Sequence, residues 1–382
     1  MLSRCVTVED LQRAAHRRWP KGVRGYVDGG ADAEVSLRLN REAFERYALT
    51  PAVLRDVQHV DLSTPLLGFE SALPFALAPT GYTRMMHAVG EPAVARAARA
   101  AGIPYTLSTM ATTSVEDLAA AAPGAELWFQ LYVWRDRKLM LDLMNRARES
   151  GYRVLMLSVD TAVTGLRTRD AHNGFTIPPR LSLSTVLDMA AHPGWWSQLL
   201  TSAAVTFANI PGHEQSPSEV MAFAAAQFDP SVTWDDLDAI RAQWDGPLVV
   251  KGVLGPEDVK RAAAAGVDAV VLSNHGGRQL DQALAPLEAL TAVRDLVGDD
   301  LEVLVDSGIR RGTDLVIALA RGASGCLVGR PYLYGLGAGG ERGVTASITM
   351  LADELRRAMQ LMGLTSIAQI RREGSELVRR RD

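Results

Sequence analysis

A histidine and an arginine three residues apart carry the clearest chemical signal in this sequence of 382 residues. Both stand in the run Ser273-Asn274-His275-Gly276-Gly277-Arg278-Gln279-Leu280-Asp281. A histidine can act as a general base near neutral pH, and a guanidinium can bind a carboxylate through two parallel hydrogen bonds. The two glycines between them allow a ligand to approach the backbone. The run predicts a base beside a carboxylate-binding group, and a structural histidine next to a surface arginine is the alternative.

Three charged residues elsewhere fit the same chemistry. Asp160 would orient a histidine base and stabilise the imidazolium that forms after proton transfer, and a helix N-cap is its alternative role. Lys251 is costly to bury unless it meets an anion. It therefore suits a cofactor that gains negative charge, with a Schiff-base lysine as the competing chemistry. Arg167 is a second candidate ligand for a carboxylate, with an exposed salt bridge as its alternative.

Two turns near the C-terminus combine glycine with arginine and predict a phosphate site. They are Asp306-Ser307-Gly308-Ile309-Arg310 and Gly329-Arg330-Pro331. Backbone N–H groups and an arginine can together hold a phosphate, and a pair of tight turns is the alternative. Tyr132 follows Gln130 by two residues in an apolar run, so both side chains would point to the same side. Tyr26, taken alone, is typical of a core tyrosine.

Eight short apolar runs would position these residues. The runs are Leu73–Pro79, Tyr105–Ser108, Leu127–Val133, Arg153–Asp160, Leu248–Val253, Ala269–Asn274, Leu301–Asp306 and Gly325–Gly329. They are continuous rather than alternating, as in parallel strands buried on both faces, and alanine-rich amphipathic segments separate them. The pattern predicts an α/β fold, a (β/α)8 TIM barrel in one domain over residues 1–382, with a doubly wound open sheet as the alternative. Polar residues end every run, which favours the barrel with its site at the C-terminal face.

Two segments fall outside the barrel pattern. Residues 1–72 form a predicted N-terminal helical extension, and its first part, Thr7–Arg18, is typical of a capped helix. Residues 176–230 form a long insertion after the fourth run, with Trp195-Trp196, one arginine, Arg180, and no lysine. We expect this insertion to be either a lid over the substrate or a segment that associates with a membrane surface. The shortage of basic residues weakens attraction to anionic lipids and favours the lid.

The composition excludes several function classes. A formal net charge of −4 argues against a nucleic-acid partner. Cys5 and Cys326 cannot form a disulfide framework, and no cysteine–histidine cluster predicts a metal site. We find no apolar stretch typical of a signal peptide or a transmembrane helix, so we expect a cytoplasmic protein, peripheral at most on the inner face of a membrane. The arginine-rich tail, Arg371–Asp382, predicts a solvated, frayed terminus.

Longer motifs extend the pattern along almost the whole chain. They are SNHGGRQLD at Ser273–Asp281, APTG at Ala78–Gly81, WFQLYV at Trp128–Val133, VKG at Val250–Gly252 and DSGIRRG at Asp306–Gly312. With these motifs the chain resembles the FMN-dependent 2-hydroxy-acid dehydrogenases and oxidases, and Ser158–Pro179 is most similar to the (S)-mandelate dehydrogenases among them. The resemblance implies FMN as cofactor and oxidation of a 2-hydroxy acid to a 2-oxo acid. It also implies a homotetramer that passes electrons to a quinone, oxygen or another acceptor.

The resemblance further implies a role for each candidate residue. His275 would be the base, partnered by Asp160, and Lys251 would stabilise the reduced flavin. The substrate would be bound by Tyr26, Tyr132, Arg167 and Arg278. The remaining contacts to FMN would come from Pro79, Thr80, Gly81, Ser108, Gln130, Ser158, Ser273, Asp306, Gly308, Arg310, Gly329 and Arg330.

Two positions near the expected substrate differ from the common oxidase pattern. Gly81 stands where many oxidases have alanine, and in the family this glycine accompanies slow reaction of the reduced flavin with oxygen. Met110 stands where glycolate oxidase has a tryptophan. We therefore expect a bulky or aromatic, mandelate-like (S)-2-hydroxy acid and a quinone or other acceptor. The alternatives are an oxygen-using oxidase, an L-lactate dehydrogenase or monooxygenase and, more remotely, a non-redox FMN isomerase or a non-catalytic flavin-binding barrel.

Overall fold

Eight parallel strands, β1 to β8 in chain order, close into a barrel in which β8 pairs with β1. The strands are Phe75–Leu77, Tyr105–Ser108, Leu127–Tyr132, Val154–Ser158, Leu248–Val253, Ala269–Leu272, Glu302–Val305 and Gly325–Val328. Each predicted run contains one of them, so the TIM barrel is confirmed and the doubly wound sheet is wrong. The structure is a computed structural model that describes residues 2–173, 183–200, 202, 205–210 and 217–381.

Helices surround the barrel and precede it. The N-terminal helices are Val8–His16, Lys21–Asp28 and Val35–Glu45. Those that follow the first strands are Thr83–Met86, Gly90–Ala100, Val115–Ala121, Arg137–Glu149 and Thr168–His172. The later helices are Leu183–Ala190, Pro193–Leu200, Pro217–Gln227, Trp234–Arg241, Pro256–Ala264, Pro286–Val297, Gly312–Ala320, Arg330–Leu361 and Ile367–Glu373, with 3₁₀ turns at Leu2–Arg4 and Gly374–Leu377. The helix Arg330–Leu361 bends at Gly339 and Gly340, where the backbone is not helical.

A β-hairpin closes the N-terminal end of the barrel. Its strands, Thr64–Leu66 and Phe69–Ser71, pair antiparallel. Leu66 and the adjoining Leu67 belong to the buried cluster that fills the barrel, together with side chains such as Trp128. Because apolar side chains fill this end, the polar side chains of the strands are concentrated at the opposite, C-terminal end. That distribution places the candidate site there, as the sequence predicts.

The strand register brings polar side chains into neighbouring positions at the C-terminal end. Ser108 on β2 pairs with Gln130 on β3. Farther along, Tyr132 on β3 pairs with Ser158 on β4, which in turn pairs with Lys251 on β5. Side chains that lie far apart in the sequence are therefore held side by side by backbone hydrogen bonds of the barrel.

The described part of the insertion after β4 includes several helices. Its described helices are Leu183–Ala190, Pro193–Leu200 and Pro217–Gln227. Residues 174–182, 201, 203–204 and 211–216, with Arg180 among them, lie outside the described residues. No helix in the described part of the chain is both long enough and apolar enough to cross a membrane.

The C-terminal tail contradicts the prediction of a frayed terminus. A short strand, Val378–Arg380, pairs antiparallel with Tyr47–Leu49 from the N-terminal extension. Upstream of it, Arg371 is half-buried and donates a hydrogen bond to the carbonyl of Ser324. The prediction was wrong because both contacts join residues that are distant in sequence, and no local pattern indicates such pairing.

The first helix begins with a reciprocal capping arrangement, as its sequence predicts. The Thr7 hydroxyl accepts a hydrogen bond from the Asp10 amide at 3.2 Å, and the Asp10 carboxylate accepts one from the Thr7 amide at 3.0 Å. We expect Thr7→Ala to lower the free energy of unfolding in urea by about 1 kcal/mol, because the cap is lost. Thr345→Ala, at an exposed position inside a helix, is the control and should change it by less than about 0.5 kcal/mol. Equal losses would contradict the capping role.

Candidate active site

A cavity of about 320 Å³ opens at the C-terminal ends of the strands. This volume lies in the range of small-molecule sites, roughly 300–1,000 Å³. Most of the predicted site residues line it: Tyr26, Pro79, Thr80, Gly81, Ser108, Met110, Gln130, Tyr132, Ser158, Arg167, Lys251, His275, Arg278, Asp306, Gly308, Arg310, Gly329 and Arg330. The other two, Asp160 and Ser273, lie behind this wall and hydrogen-bond to residues in it. The structure thus brings the predicted residues together, while their roles stay predictions.

His275 and Asp160 form a hydrogen-bonded pair across two loops. His275 Nδ1 lies 3.1 and 3.0 Å from the two carboxylate oxygens of Asp160. Burial raises the pKa of Asp160, but the facing His275 and the nearby Lys251 outweigh it, so the pKa falls below its usual value. Asp160 is therefore ionised near neutral pH and fixes the orientation of the ring. The predicted alternative, a helix N-cap, is wrong because the nearest downstream helix begins at Thr168.

His275 adopts a backbone conformation that few non-glycine residues adopt. Its φ is +59°, in the left-handed region. The Ser273 hydroxyl accepts its backbone N–H at 3.0 Å and thereby holds this conformation. Strained backbone of this kind is concentrated at functional sites.

Two arginines face the cavity beside each other. The Arg278 guanidinium lies 4.8 Å from the centre of the Tyr26 ring and donates to the carbonyls of Tyr26 at 2.6 Å and Gly29 at 3.0 Å. Burial, and then the positive charge of Arg167, lower the pKa of Arg278 to about 9. The buried Nε of Arg167 has no hydrogen-bond partner among the described residues. This concentration of positive charge is suited to an anionic ligand.

Lys251 is buried between acidic and hydroxyl groups. Its Nζ lies 3.2 Å from a carboxylate oxygen of Asp306 and donates to the Ser273 hydroxyl at 2.9 Å. Burial opposes its charge, but Asp306 and Asp160 raise the pKa of Lys251 above its usual value. The lysine is therefore a stable cation, which disfavours the Schiff-base chemistry that was its alternative, because that chemistry needs a neutral amine.

The wall near β2 and β3 carries an unsatisfied donor. Gln130 Oε1 accepts a hydrogen bond from the Ser108 hydroxyl at 3.0 Å. Its Nε2 is buried and has no partner in the described part of the protein. Buried amide groups are normally paired, so this donor is available to a ligand in the cavity.

The two arginines of the predicted phosphate site differ in their surroundings. Arg310 donates to the carbonyl of Ile309 at 2.7 Å, and burial lowers its pKa to about 10. Arg330 donates to three backbone carbonyls, those of Val27, Gly29 and Gly276, at 2.7 to 3.0 Å. Arg310 is thus held by fewer hydrogen bonds, while Arg330 attaches both the segment at Val27 and Gly29 and the turn at Gly276 to its own loop.

Sequence reasoning missed the aromatic part of the cavity wall. Phe228 lies edge-on to Tyr132 with ring centres 5.4 Å apart, and Phe207 lies 4.3 Å from Tyr82. Both phenylalanines belong to the insertion, which therefore contributes to the cavity. No sequence signal marks them, because neither adjoins a strand end or a motif.

Gln279 was also missed, although it stands within the most specific motif. Its Nε2 donates to the carbonyls of Asp160 at 2.7 Å and Val163 at 3.0 Å. The sequence does contain an indication of this role, because Gln279 directly follows Arg278. A side-chain amide at that position can reach a neighbouring loop.

Comparison with known proteins places the chain among flavin enzymes. A family model described as FMN-dependent dehydrogenase matches residues 15–377. L-lactate dehydrogenase of Caulobacter vibrioides is 46% identical over 365 residues, which cover 94% of this chain and 95% of that protein. A solved (S)-mandelate dehydrogenase, described as a monotopic membrane protein, has a TM-score of 0.94 and 38% identity, covering 99% of this chain and 100% of the other. A mandelate oxidase solved with (S)-4-hydroxymandelic acid has a TM-score of 0.84 and 41% identity, covering 96% and 98%.

Asp160 can occupy its position because Gly252 has no Cβ atom. A Cβ atom at Gly252, where φ is +107°, would lie 2.5 Å from Cγ of Asp160. Gly151→Ala is a matched control, since φ is +86° at Gly151 and a Cβ atom there would meet no described atom within 4 Å. We expect Gly151→Ala to cost about 1–2 kcal/mol of unfolding free energy through backbone strain. Gly252→Ala should cost about 1–3 kcal/mol more through the clash, and equal costs in urea unfolding would contradict this account.

Proposed function

Because this chain belongs to the family of FMN-dependent dehydrogenases, we propose that it oxidises an (S)-2-hydroxy acid with a bulky side chain to the 2-oxo acid. One observation carries the proposal. His275, paired with Asp160, lines the same cavity as Arg278 and Arg167. A base beside two arginines suits a substrate that combines a carboxylate with a proton to be removed.

The side chains divide the chemistry between them. Asp160 engages Nδ1 of His275, which leaves Nε2 to accept a proton from the substrate. Asp160 also stabilises the imidazolium that results. Arg278 and Arg167 would hold the substrate carboxylate, and the Tyr132 phenol would bond the substrate oxygen. The pKa of Tyr132 is raised by burial and then by the charge of Asp160, so the phenol keeps its proton and can donate a hydrogen bond.

The cavity residues fit FMN. When bound, FMN supplies the acceptor of the two electrons that the hydroxy acid loses. The unpaired Nε2 of Gln130 would donate to the polar edge of the flavin ring. The Lys251 ammonium is suited to negative charge on the reduced ring, and Arg310 would meet the phosphate. The predicted non-redox isomerase and the non-catalytic barrel are less suited to this site, because neither needs a base beside two carboxylate-binding arginines.

The aromatic wall favours a bulky substrate. The Tyr132–Phe228 and Tyr82–Phe207 pairs offer ring faces and edges to an aromatic side chain. Gly81 adds no side chain to this wall, where a Cβ atom would lie 3.2 Å from that of Met110 and 3.5 Å from the Tyr26 hydroxyl. (S)-Mandelate is therefore the proposed substrate class. A quinone or another non-oxygen acceptor is the proposed oxidant, and the homotetramer implied by the resemblance stays a prediction.

Flavin absorbance tests the reaction directly. We expect anaerobic (S)-mandelate to bleach the yellow protein, because its two electrons reduce the flavin. Air should restore the colour only slowly, and (S)-lactate should bleach the protein with a lower kcat/KM than mandelate. A flavin that stays oxidised with both acids would contradict the proposed function. Rapid recovery in air would overturn the proposed acceptor, and a preference for lactate would overturn the proposed substrate.

Two histidine variants isolate the base. We expect His275→Ala to retain bound flavin but to be bleached about 100- to 10,000-fold more slowly, because a positioned base contributes that much. His59→Ala removes an exposed histidine and should be bleached as fast as the unaltered protein. Full bleaching rates in His275→Ala would refute the assignment of the base.

A second candidate property is membrane association through the insertion. Its described helices expose five large apolar side chains, Val186, Leu187, Trp196, Leu200 and Phe223, which we together call the apolar face. We propose that this apolar face binds the surface of a lipid bilayer, at the cytoplasmic side that the sequence predicts. The similar (S)-mandelate dehydrogenase, described as a monotopic membrane protein, supports the proposal.

Two hydrogen bonds attach the helices Leu183–Ala190 and Pro193–Leu200, which carry four of these five side chains, to the rest of the protein. The Asp188 carboxylate accepts the Lys21 amide at 2.7 Å, at the start of the helix Lys21–Asp28. The Trp195 indole donates to the carbonyl of Met85 at 2.8 Å. Because residues 183–200 contain no lysine or arginine, binding would depend on apolar contact and not on anionic lipid.

Co-sedimentation with phosphatidylcholine vesicles tests this surface. We expect the protein to bind these neutral vesicles, with little change on adding salt or phosphatidylglycerol. The double variant Leu187→Glu, Leu200→Glu should stay in the supernatant, because two charges would enter the interface. Leu361→Glu, at an exposed leucine outside the insertion, is the control and should bind normally. Absence of binding by the unaltered protein, or equal loss in the control, would contradict the proposal.

A further inference from the structure

The side-chain amide of Gln279 makes three hydrogen bonds to one short segment. Its Nε2 donates to the carbonyl oxygens of Asp160 and Val163 at 2.7 and 3.0 Å. Its Oε1 accepts the backbone N–H of Gly165 at 3.2 Å. One side chain thus satisfies backbone groups along most of the loop that follows β4.

That loop carries two groups of the active site but has no regular structure of its own. Its residues are all described, and they form no helix or strand between Val159 and Arg167. Asp160 stands at its start and Arg167 at its end, where the next helix begins. A loop without internal backbone pairing depends on outside contacts for its shape.

The loop also lies in direct backbone contact with the turn that carries Gln279. A Cβ atom at Gly165 would lie 2.4 Å from the carbonyl oxygen of Arg278 and 2.7 Å from that of Gln279. A glycine is therefore required for this approach. The approach brings the Gln279 amide within reach of three groups at once.

We propose that Gln279 is a positioning residue, which fastens the 160–165 loop so that Asp160 stays on His275 and Arg167 stays beside Arg278. Gln279 also borders the cavity, but these three hydrogen bonds of its amide all go to the loop, so we assign it a role through Asp160 and Arg167. The position in sequence explains why one residue can do this: Gln279 adjoins Arg278 and lies four residues after His275. The turn from His275 to Gln279 thus fixes the 160–165 loop relative to His275.

The proposed function supplies the kinetic test. We expect Gln279→Ala to lower kcat by about tenfold or more and to raise KM for (S)-mandelate, because displacements of about 1 Å at a reacting centre are costly. Flavin content should not change. Gln360→Ala is the matched control, since it also removes an amide that donates to a backbone carbonyl, that of Val57 at 3.2 Å. It should leave kcat and KM unchanged.

The combined effect of variants at Gln279 and Asp160 distinguishes a positioning role of Gln279 from a general contribution to stability. In a double-mutant cycle, Gln279→Ala should lower kcat much less when Asp160 is already changed by Asp160→Asn, because the effect that passes through Asp160 is already lost, while its effect on KM, which passes through Arg167, should remain. The conservative variant Gln279→Glu keeps the size of the side chain but loses its donor while ionised. Its kcat relative to the unaltered protein should rise as the pH falls toward the ordinary pKa of a glutamate, about 4.3, because protonation restores an O–H donor.

Hydrogen exchange gives a readout that does not need turnover. The amides of residues 160–167 should exchange faster in Gln279→Ala than in the unaltered protein, while the barrel strands keep their protection. Unchanged exchange in this segment, or additive effects on kcat in the cycle with Asp160→Asn, would overturn the proposal. The proposed role of Gln279 rests on the proposed function. If mandelate did not reduce the flavin of the unaltered protein, that result would refute the proposed function alone. The hydrogen-exchange result would still decide whether Gln279 holds the loop.

Discussion

The hydrogen bond between His275 and Asp160 is the interaction on which the arrangement of the site depends. It joins the loop after β6 to the loop after β4. In the adjoining barrel wall, Lys251 attracts Asp160 and forms an ion pair with Asp306. A series of neighbouring side chains, His275, Asp160, Lys251 and Asp306, therefore runs across the ends of four strands. The buried charges of Asp160, Lys251 and Asp306 compensate one another, which is the condition for burying these three groups.

The loop after β6 also explains why the N-terminal extension belongs to the site. Arg278 donates to the carbonyl of Tyr26, and its guanidinium lies over the ring of the same residue. A few residues later, the Asp281 carboxylate accepts the backbone N–H groups of Ala33, Val35 and Ser36, at the start of the third helix. The bonds from Val35 and Ser36 satisfy donors of the first helical turn, which have no partner within the helix. The extension thus completes the cavity wall on one side of the barrel.

The sequence predicts the barrel well because its information is local. Continuous apolar runs mark parallel strands, and their polar ends mark the site at the C-terminal face. The run around His275 and Arg278 predicts the two charged groups that the structure places in the cavity. The pairing of Val378–Arg380 with the N-terminal extension was not predictable in this way, since it depends on which distant segments meet. Phe207 and Phe228 were missed for the same reason.

The electrostatics of the cavity contrast with those of the chain as a whole. The chain has a formal net charge of −4, yet its cavity contains the cations Arg278 and Arg310. The pKa of each of these arginines is lowered, because the effect of burial exceeds the attraction of nearby acidic groups. Such groups lower the stability of the folded protein while no anion is bound, because each charge is desolvated without full compensation. A substrate carboxylate at one end of the cavity and a phosphate at the other would restore the balance. The residues that weaken the fold are therefore those proposed to bind ligands, and a ligand that binds the folded state should stabilise the protein by an amount that grows with the logarithm of its concentration divided by its Kd.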